Sequence, residues 1–300
     1  MAARRLDILS RLFWPLLVIA AALVWLLHTL DVLPPAILDL IGRGWPALLV
    51  GLGLFLLLGR RVRFGNLIAI SGTVLLIGGV IVAAYNREGQ QFRDDYREPV
   101  AAAIGPEVDT LRILIETRSS EVDILPAATG ERAIQGEYVG SLESQISAEY
   151  RPEGRVGIFT LRESASNTIP LLAQVGRGRL RLLVPEGITI EELSISAGQG
   201  DVLLDISAAS VRRLAVTLEA GDIDARFPAE SGLIGDLRTG NGDAIMTIPS
   251  TIPAEITLSR AGSVTFDDDI YTRRIDNVLV PRASPQMQIT VNITGAVTIN

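Results

Sequence analysis

A glycine–aspartate pair recurs every 21 residues in the second half of the chain, at Gly200-Asp201, Gly221-Asp222 and Gly242-Asp243. Each pair runs directly into a short apolar stretch, and Gly262-Ser263 follows the last of them after a further 20 residues. Ahead of each glycine lies another strand-like run: Leu193-Ser-Ile-Ser, Leu214-Ala-Val-Thr-Leu, Gly235-Asp-Leu-Arg and Ile256-Thr-Leu. After a longer insertion, Ile289-Thr-Val-Asn-Ile-Thr-Gly295-Ala-Val-Thr-Ile repeats the figure. A unit of strand, glycine corner and strand is too small to bury its own aliphatic face, so neighbouring units must stack and bury it between them. Glycine tolerates the positive φ of a tight corner, and the alternating Val, Ile and Leu residues point inward. The pattern predicts an all-β, solenoid-like domain with Gly200, Asp201, Gly221, Asp222, Gly242, Asp243 and Gly262 as its repeat turns. A β-sandwich of short strands is the rival architecture.

Period-two alternation begins earlier, in Leu111-Arg-Ile-Leu-Ile, Glu121-Val-Asp-Ile-Leu, Val156-Gly-Ile-Phe-Thr-Leu and Leu180-Arg-Leu-Leu-Val. It sets the β domain at 108–300, with the less regular runs before 190 expected as a capping layer. Residues 87–107 open with REGQQFRDDYREP, nearly free of aliphatics, and are expected to be a juxtamembrane linker.

The first 86 residues follow other rules. Uncharged apolar runs at 12–30 and 64–86 have the length that crosses a bilayer. A third segment at 36–59 includes Asp39 and Arg43, spaced to pair on a helix and near enough to one end to reach the headgroups. An interfacial or re-entrant segment is the alternative there. The run at 12–30 is too long for a signal-peptide core, and two more spans follow it, so it is expected to be retained. Arg4, Arg5 and Arg11 precede the first span and Arg60, Arg61 and Arg63 fill the loop between the second and third, whereas residues 31–35 carry no base. Both basic segments therefore belong in the cytoplasm, and three crossings place the β domain outside. Gly72, Gly79 and Ala83 lie on one side of the third span, where small residues allow close helix packing.

The charge is split in the same way. Residues 1–90 hold eight Arg and four acids (+4), and the remaining 210 hold nineteen Arg and thirty acids (−11), which gives the net −7. An acidic outer body has no stripe to neutralise phosphates, so nucleic acid is not an expected partner. Arg177-Gly-Arg179-Leu-Arg181 is the exception, read as a solvated strand face or a patch meeting anionic lipid or wall polymer. The chain has no Cys and no Lys, and His28 is its single histidine. These absences remove thiolate chemistry, Schiff bases, the Walker phosphate lysine and any histidine-built triad. No catalytic residue, cofactor or metal is expected. The Gly-Asp aspartates and Asp267-Asp268-Asp269 could gather calcium oxygens if stacked, but Asp after Gly is also the ordinary residue of a tight turn.

Trp14-Pro15 opens WPLLVIAAALVWLL and Trp45-Pro46 opens WPALLVGLGLFLLL, an internal echo in which the aromatic-proline pairs suit the membrane interface. Over residues 8–85 the arrangement resembles the LiaI/LiaF-like transmembrane region of bacterial envelope-stress proteins. The run Ser194-Ile-Ser-Ala-Gly-Gln-Gly-Asp-Val and its Gly-Asp echoes resemble the rungs of the adhesin-like, toast-rack β-repeat domain of bacterial surface proteins. The two resemblances imply a non-enzymatic protein of the bacterial cytoplasmic membrane, serving envelope-stress sensing or signalling. Its implied partners are the lipid bilayer and a sensor kinase or other membrane protein. The alternative is a membrane-anchored, adhesin-like structural protein that self-associates or binds cell-wall polymer.

Overall fold

The computed structural model describes residues 79, 82–165, 175–274 and 277–300. Residues 79 and 82–88 are helical, with Gly79 and Ala83 exposed. Trp14, Pro15, Trp45, Pro46, Gly72 and the spans proposed at 12–30, 36–59 and most of 64–86 lie outside the described residues. Among the described residues, no helix is long and apolar enough to cross a membrane. Contacts divide the chain into two compact units, Met1–Gly89 with Leu171–Val175 and Gln90–Pro170 with Gly176–Asn300, and the second is the β domain.

Its strands run in chain order as β1 (Tyr96–Ala103), β2 (Thr110–Thr117), β3 (Ser120–Pro126), β4 (Ala133–Gly140), β5 (Ser144–Glu153), β6 (Val156–Ala165) and β7 (Gly178–Val184). The Gly-Asp region supplies β8 (Thr189–Gln199), β9 (Val202–Asp205), β10 (Arg213–Ala220), β11 (Ile223–Arg226), β12 (Ile234–Thr239) and β13 (Ala244–Thr247). The chain ends with β14 (Ala254–Ser259), β15 (Ser263–Thr265), β16 (Tyr271–Arg273), β17 (Val278–Pro281), β18 (Met287–Ile293) and β19 (Ala296–Ile299).

These strands form two sheets. One has nine strands in the order β1-β4-β7-β3-β9-β11-β13-β19-β15, and the other has ten in the order β16-β17-β14-β18-β12-β10-β8-β2-β6-β5. Matching the two orders shows the rungs: β6/β7, β2/β3, β8/β9, β10/β11, β12/β13, β18/β19 and β14/β15, parallel to one another in both sheets. The expected stack of strand–corner–strand units is present, but its spatial order is not its chain order. The rung β2/β3 sits inside β6/β7, and the C-terminal rung β18/β19 sits inside β14/β15.

Register explains the core. Ile115, Ile195, Val216, Leu237, Val291 and Leu258 fall in one cross-strand row of the ten-stranded sheet, with Leu161 at its end. Leu182, Ile124, Leu204, Ala225, Met246 and Ile299 form the corresponding row of the nine-stranded sheet. All belong to one buried cluster. Each buried Val, Leu or Ile contributes about 1.5–3 kcal/mol, and a slip of one residue would turn the whole row outward.

Antiparallel strands flank the stack. At one end β5 pairs with β6, β4 with β7 and β1 with β4, and at the other β17 pairs with β14 and β16 with β17. Two expectations are corrected here. The segment 87–107 is not all linker, because β1 lies in it. As an edge strand β1 buries only Val100 and Ala102, so it lacks the aliphatic density by which interior strands announce themselves. The runs before 190 are also not simply a cap, since β2 and β3 pair on both sides as a regular interior rung.

Candidate functional site

The repeat turns build a ladder along one edge of the stack. Gly200, Gly221 and Gly242 hold φ of 129°, 141° and 156°, a region closed to most side chains. A Cβ at Gly221 would fall on the carbonyl oxygen of Gly200, and one at Gly242 on that of Gly221. This close approach aligns the aspartates. Asp222 N–H donates to Asp201 Oδ1 at 2.9 Å, Asp243 N–H to Asp222 Oδ1 at 2.8 Å, and Ala296 N–H to Asp243 Oδ1 at 2.7 Å. Each carboxylate thus caps the corner of the neighbouring rung. The ladder passes from Asp243 to Gly295-Ala296, not to Gly262-Ser263, because β19 intervenes. Gly262 occupies the next corner, where its N–H donates to Gly295 O at 2.9 Å and the positive φ falls on Arg260 instead, at 63°.

The corner between β2 and β3 has no glycine, and a side chain does the capping. Glu163 is 7% exposed, on β6 one rung away. Its Oε2 accepts from Arg118 N–H at 2.8 Å, Ser119 N–H at 3.4 Å and Ser120 Oγ at 2.8 Å. Its Oε1 accepts from Ser144 Oγ at 2.7 Å and Tyr138 OH at 3.3 Å. A buried carboxylate is tolerated when its lone pairs are filled in this way. The Tyr138 hydroxyl fits against Gly140 and Gly178, where any Cβ would strike it. Burial first, and then the Glu163 charge, push its pKa up to about 12. Burial also raises the carboxyl of neighbouring Glu143, with Arg118 opposing and Glu163 adding to the shift. With every strong donor spent on Glu163, this knot braces a corner and presents nothing to a substrate. The sequence held a signal for it: Phe159, Leu161 and Glu163 share the inward phase of β6.

The surface feature with the make-up of a binding site lies over β4 and β7. There Phe92, Arg93, Asp94, Glu137, Val139, Arg179 and Arg181 line a groove of about 540 Å³. Gln91–Arg93 is strapped to the start of β7, with Arg93 N–H donating to Arg177 O at 3.0 Å and Arg177 N–H to Gln91 O at 2.7 Å. The strap needs Gly176, since a Cβ there would meet the Arg93 side chain. Phe92 is 52% exposed, and the Arg179 guanidinium sits 5.0 Å from its ring centre. Behind the arginines stand the carboxylates of β3. Arg179 Nε and Nη2 donate to Glu121 Oε2 at 3.1 and 3.0 Å, and Arg181 Nη2 donates to Asp123 Oδ2 at 3.3 Å. The acids are largely covered, at 18% and 15% side-chain exposure, while the arginine side chains remain 48% and 58% exposed. Two of the three arginines marked in the sequence thus reach this groove, and Arg177 holds the strap. Phe92, Arg93, Asp94 and Glu137 were not foreseen, because only the strap brings the first three to the sheet.

No family model and no curated protein matches the chain. Among solved structures it is similar to a "putative cell adhesion protein" from Clostridium sporogenes, at 19% identity and TM-score 0.54, over 68% of this chain and 99% of that one. It is also matched to a "putative adhesin" from Bacteroides fragilis (8% identity, TM-score 0.23, 69% of this chain and 98% of that one). A third match is a "putative adhesin" from Parabacteroides merdae (9% identity, TM-score 0.15, with the same shares of the two chains). The first likeness is one of fold alone: this domain and that protein share an all-β fold.

Proposed function

We propose that this chain is a non-enzymatic bacterial membrane protein whose N-terminal helices hold the adhesin-like β domain outside the cytoplasm, where it takes part in sensing the state of the envelope. The observation that carries the reading is the split between a basic, apolar head with arginines flanking alternate ends of its apolar runs and an acidic β body. In this reading the helices, through the Trp14-Pro15 and Trp45-Pro46 faces and the Gly72/Gly79/Ala83 side, contact a sensor kinase or another membrane protein.

The absence of cysteine makes the test clean. A single cysteine at exposed Ser231 should react with a membrane-impermeant maleimide in intact cells, and one at Val62 only after permeabilisation. The reverse pattern overturns the orientation. Photo-cross-linking from positions 14 and 45 in native membranes then tests signalling, and reproducible capture of a histidine kinase is the expected result.

A second reading, an anchored adhesin-like surface module with no signalling partner, draws on the fold likeness. The flanking antiparallel strands bear on its form. They cover three of the four parallel ladder edges at which rungs of two copies would otherwise add end to end, and the fourth is the three-residue β15, so such a module would engage its target mainly through a face. Cross-linking that recovers only the protein itself or wall-associated material returns this reading.

A further inference from the structure

We propose that the groove over β4 and β7 is a binding site for an acidic saccharide, a polyhydroxylated ring carrying a carboxylate or phosphate. The proposal deepens the functional reading above by naming what the outward-facing domain would bind, and it rests on that reading for its biological setting.

The lining divides into three chemistries. Arg179 and Arg181 alternate on one strand, so their Cα atoms are about 6.6 Å apart on the same face. Each keeps unspent N–H groups beyond its bond to β3, because a guanidinium carries five donors. The covered carboxylates of Glu121 and Asp123 hold these forks in place, and a planar fork accepts a carboxylate or phosphate in the two-bond mode. Glu137 and Asp94 supply exposed acceptors, at 53% and 79% side-chain exposure, and sugar hydroxyls are donors that suit them. Phe92 offers an exposed aromatic ring at the rim for the apolar C–H face of a sugar. Glu137 and Asp94 lie 3.8 and 3.9 Å from Arg97, and Phe92 lies against Arg179, but a bare anion would use none of the three and would meet repulsion from the two acids. A neutral sugar would leave the arginine forks unused. A saccharide that carries the anion uses all of them. The overall acidity of the body does not forbid it, since charges beyond about 8–10 Å are screened at physiological salt.

The test uses the full-length protein in uncharged phosphatidylcholine nanodiscs, titrated calorimetrically with oligogalacturonate, a neutral galacto-oligosaccharide of equal length, and inorganic phosphate. Oligogalacturonate should bind at least about tenfold more tightly than either of the others, consistent with a charge-assisted contact. Its affinity should fall about tenfold in Arg181→Ala and in Arg179→Ala, fall less in Arg179→Lys, and weaken as salt rises. Each arginine is the partner of a largely covered carboxylate, so a melting curve for each variant establishes that the sheet is intact before its affinity is read. Equal binding of the neutral oligomer, equal binding of phosphate alone, or no binding at all overturns the proposal. So does retention of affinity in both alanine variants. Arginine-dependent binding to phosphatidylglycerol vesicles without binding of the oligosaccharide assigns the groove to lipid and also overturns it. Purified protein is blind to membrane orientation, so a negative result here leaves the maleimide experiment untouched, and failure of that experiment leaves this one standing.

Discussion

The carboxylate of Asp222 accepts the backbone N–H of Asp243 at 2.8 Å across one step of the stack. The bond joins corners that are 21 positions apart in sequence and adjacent in space, as Asp201 joins the corner of Asp222. Asp222→Ala leaves that amide to water, and the loss should be about 0.5–1.5 kcal/mol. Asp222→Asn keeps an acceptor and should lose less. Urea denaturation of the two variants beside the parent measures the difference. Equal stability of all three would show that the ladder is incidental.

Gly221→Ala should be far more damaging. It combines a φ of 141° with a Cβ on a neighbouring carbonyl, where nothing flexible can yield, so about 3 kcal/mol or more is expected. Gly154 and Gly232 also have positive φ, but nothing lies within 4 Å of an added Cβ, and alanine there should cost about 1 kcal/mol. Chemical denaturation of the three variants should rank them in that order.

Glu163→Ala removes the acceptor of five hydrogen bonds in a buried corner, and a loss of about 3–5 kcal/mol is expected. Glu163→Gln fills the space but turns an amide NH₂ toward donors, so it should fall between alanine and the parent. Retained stability in Glu163→Ala would mean that water takes over the carboxylate's place.

Tyr138 ties stability to high pH. Burial holds its hydroxyl protonated up to about 12, against 10.0 for an ordinary tyrosine. A group whose folded pKa is raised stabilises the fold fully below its unfolded pKa, and that contribution is lost as pH climbs from about 10 to about 12. The loss, at most about 3 kcal/mol, should appear in denaturation curves taken between pH 9 and pH 12 and be much reduced in Tyr138→Phe.

Deleting Met287–Asn300 should abolish cooperative folding instead of trimming an end. Those residues are the rung between β12/β13 and β14/β15, so their loss strips partners from both. Circular dichroism and limited proteolysis of the shortened chain check this, and a native-like, protease-resistant product would contradict the topology.

How much of this was legible in the sequence depends on what a residue can report. Gly200, Gly221 and Gly242 report the shape and length of a rung, because their backbone angles are a local demand. Nothing local says which rung lies next to which. Val216 would pack as well against another Val, Ile or Leu, and the interior rows are interchangeable in that respect. The placing of Gly295-Ala296 beside Asp243 is permitted by the long insertion with β16 and β17, which gives the chain enough length to return between two existing rungs. Glu163 was readable from its inward phase on β6. Its partners Ser120, Tyr138 and Ser144 were not, being on three other strands. The groove was half visible: Arg179 and Arg181 stand out in sequence, whereas Phe92 sits in what read as linker.

The inward setting of the C-terminal rung bears on how the domain would answer to force. In a stack laid down in chain order the last rung has one neighbour, and tension on the terminus peels it away at low load. Tension on Asn300 here meets β19 gripped by β13 and β15, so both of its seams must shear together before that strand is freed, and β18 behind it is gripped in the same way by β12 and β14. Such a fastening resists gradual fraying and yields, when it does, in a single large step.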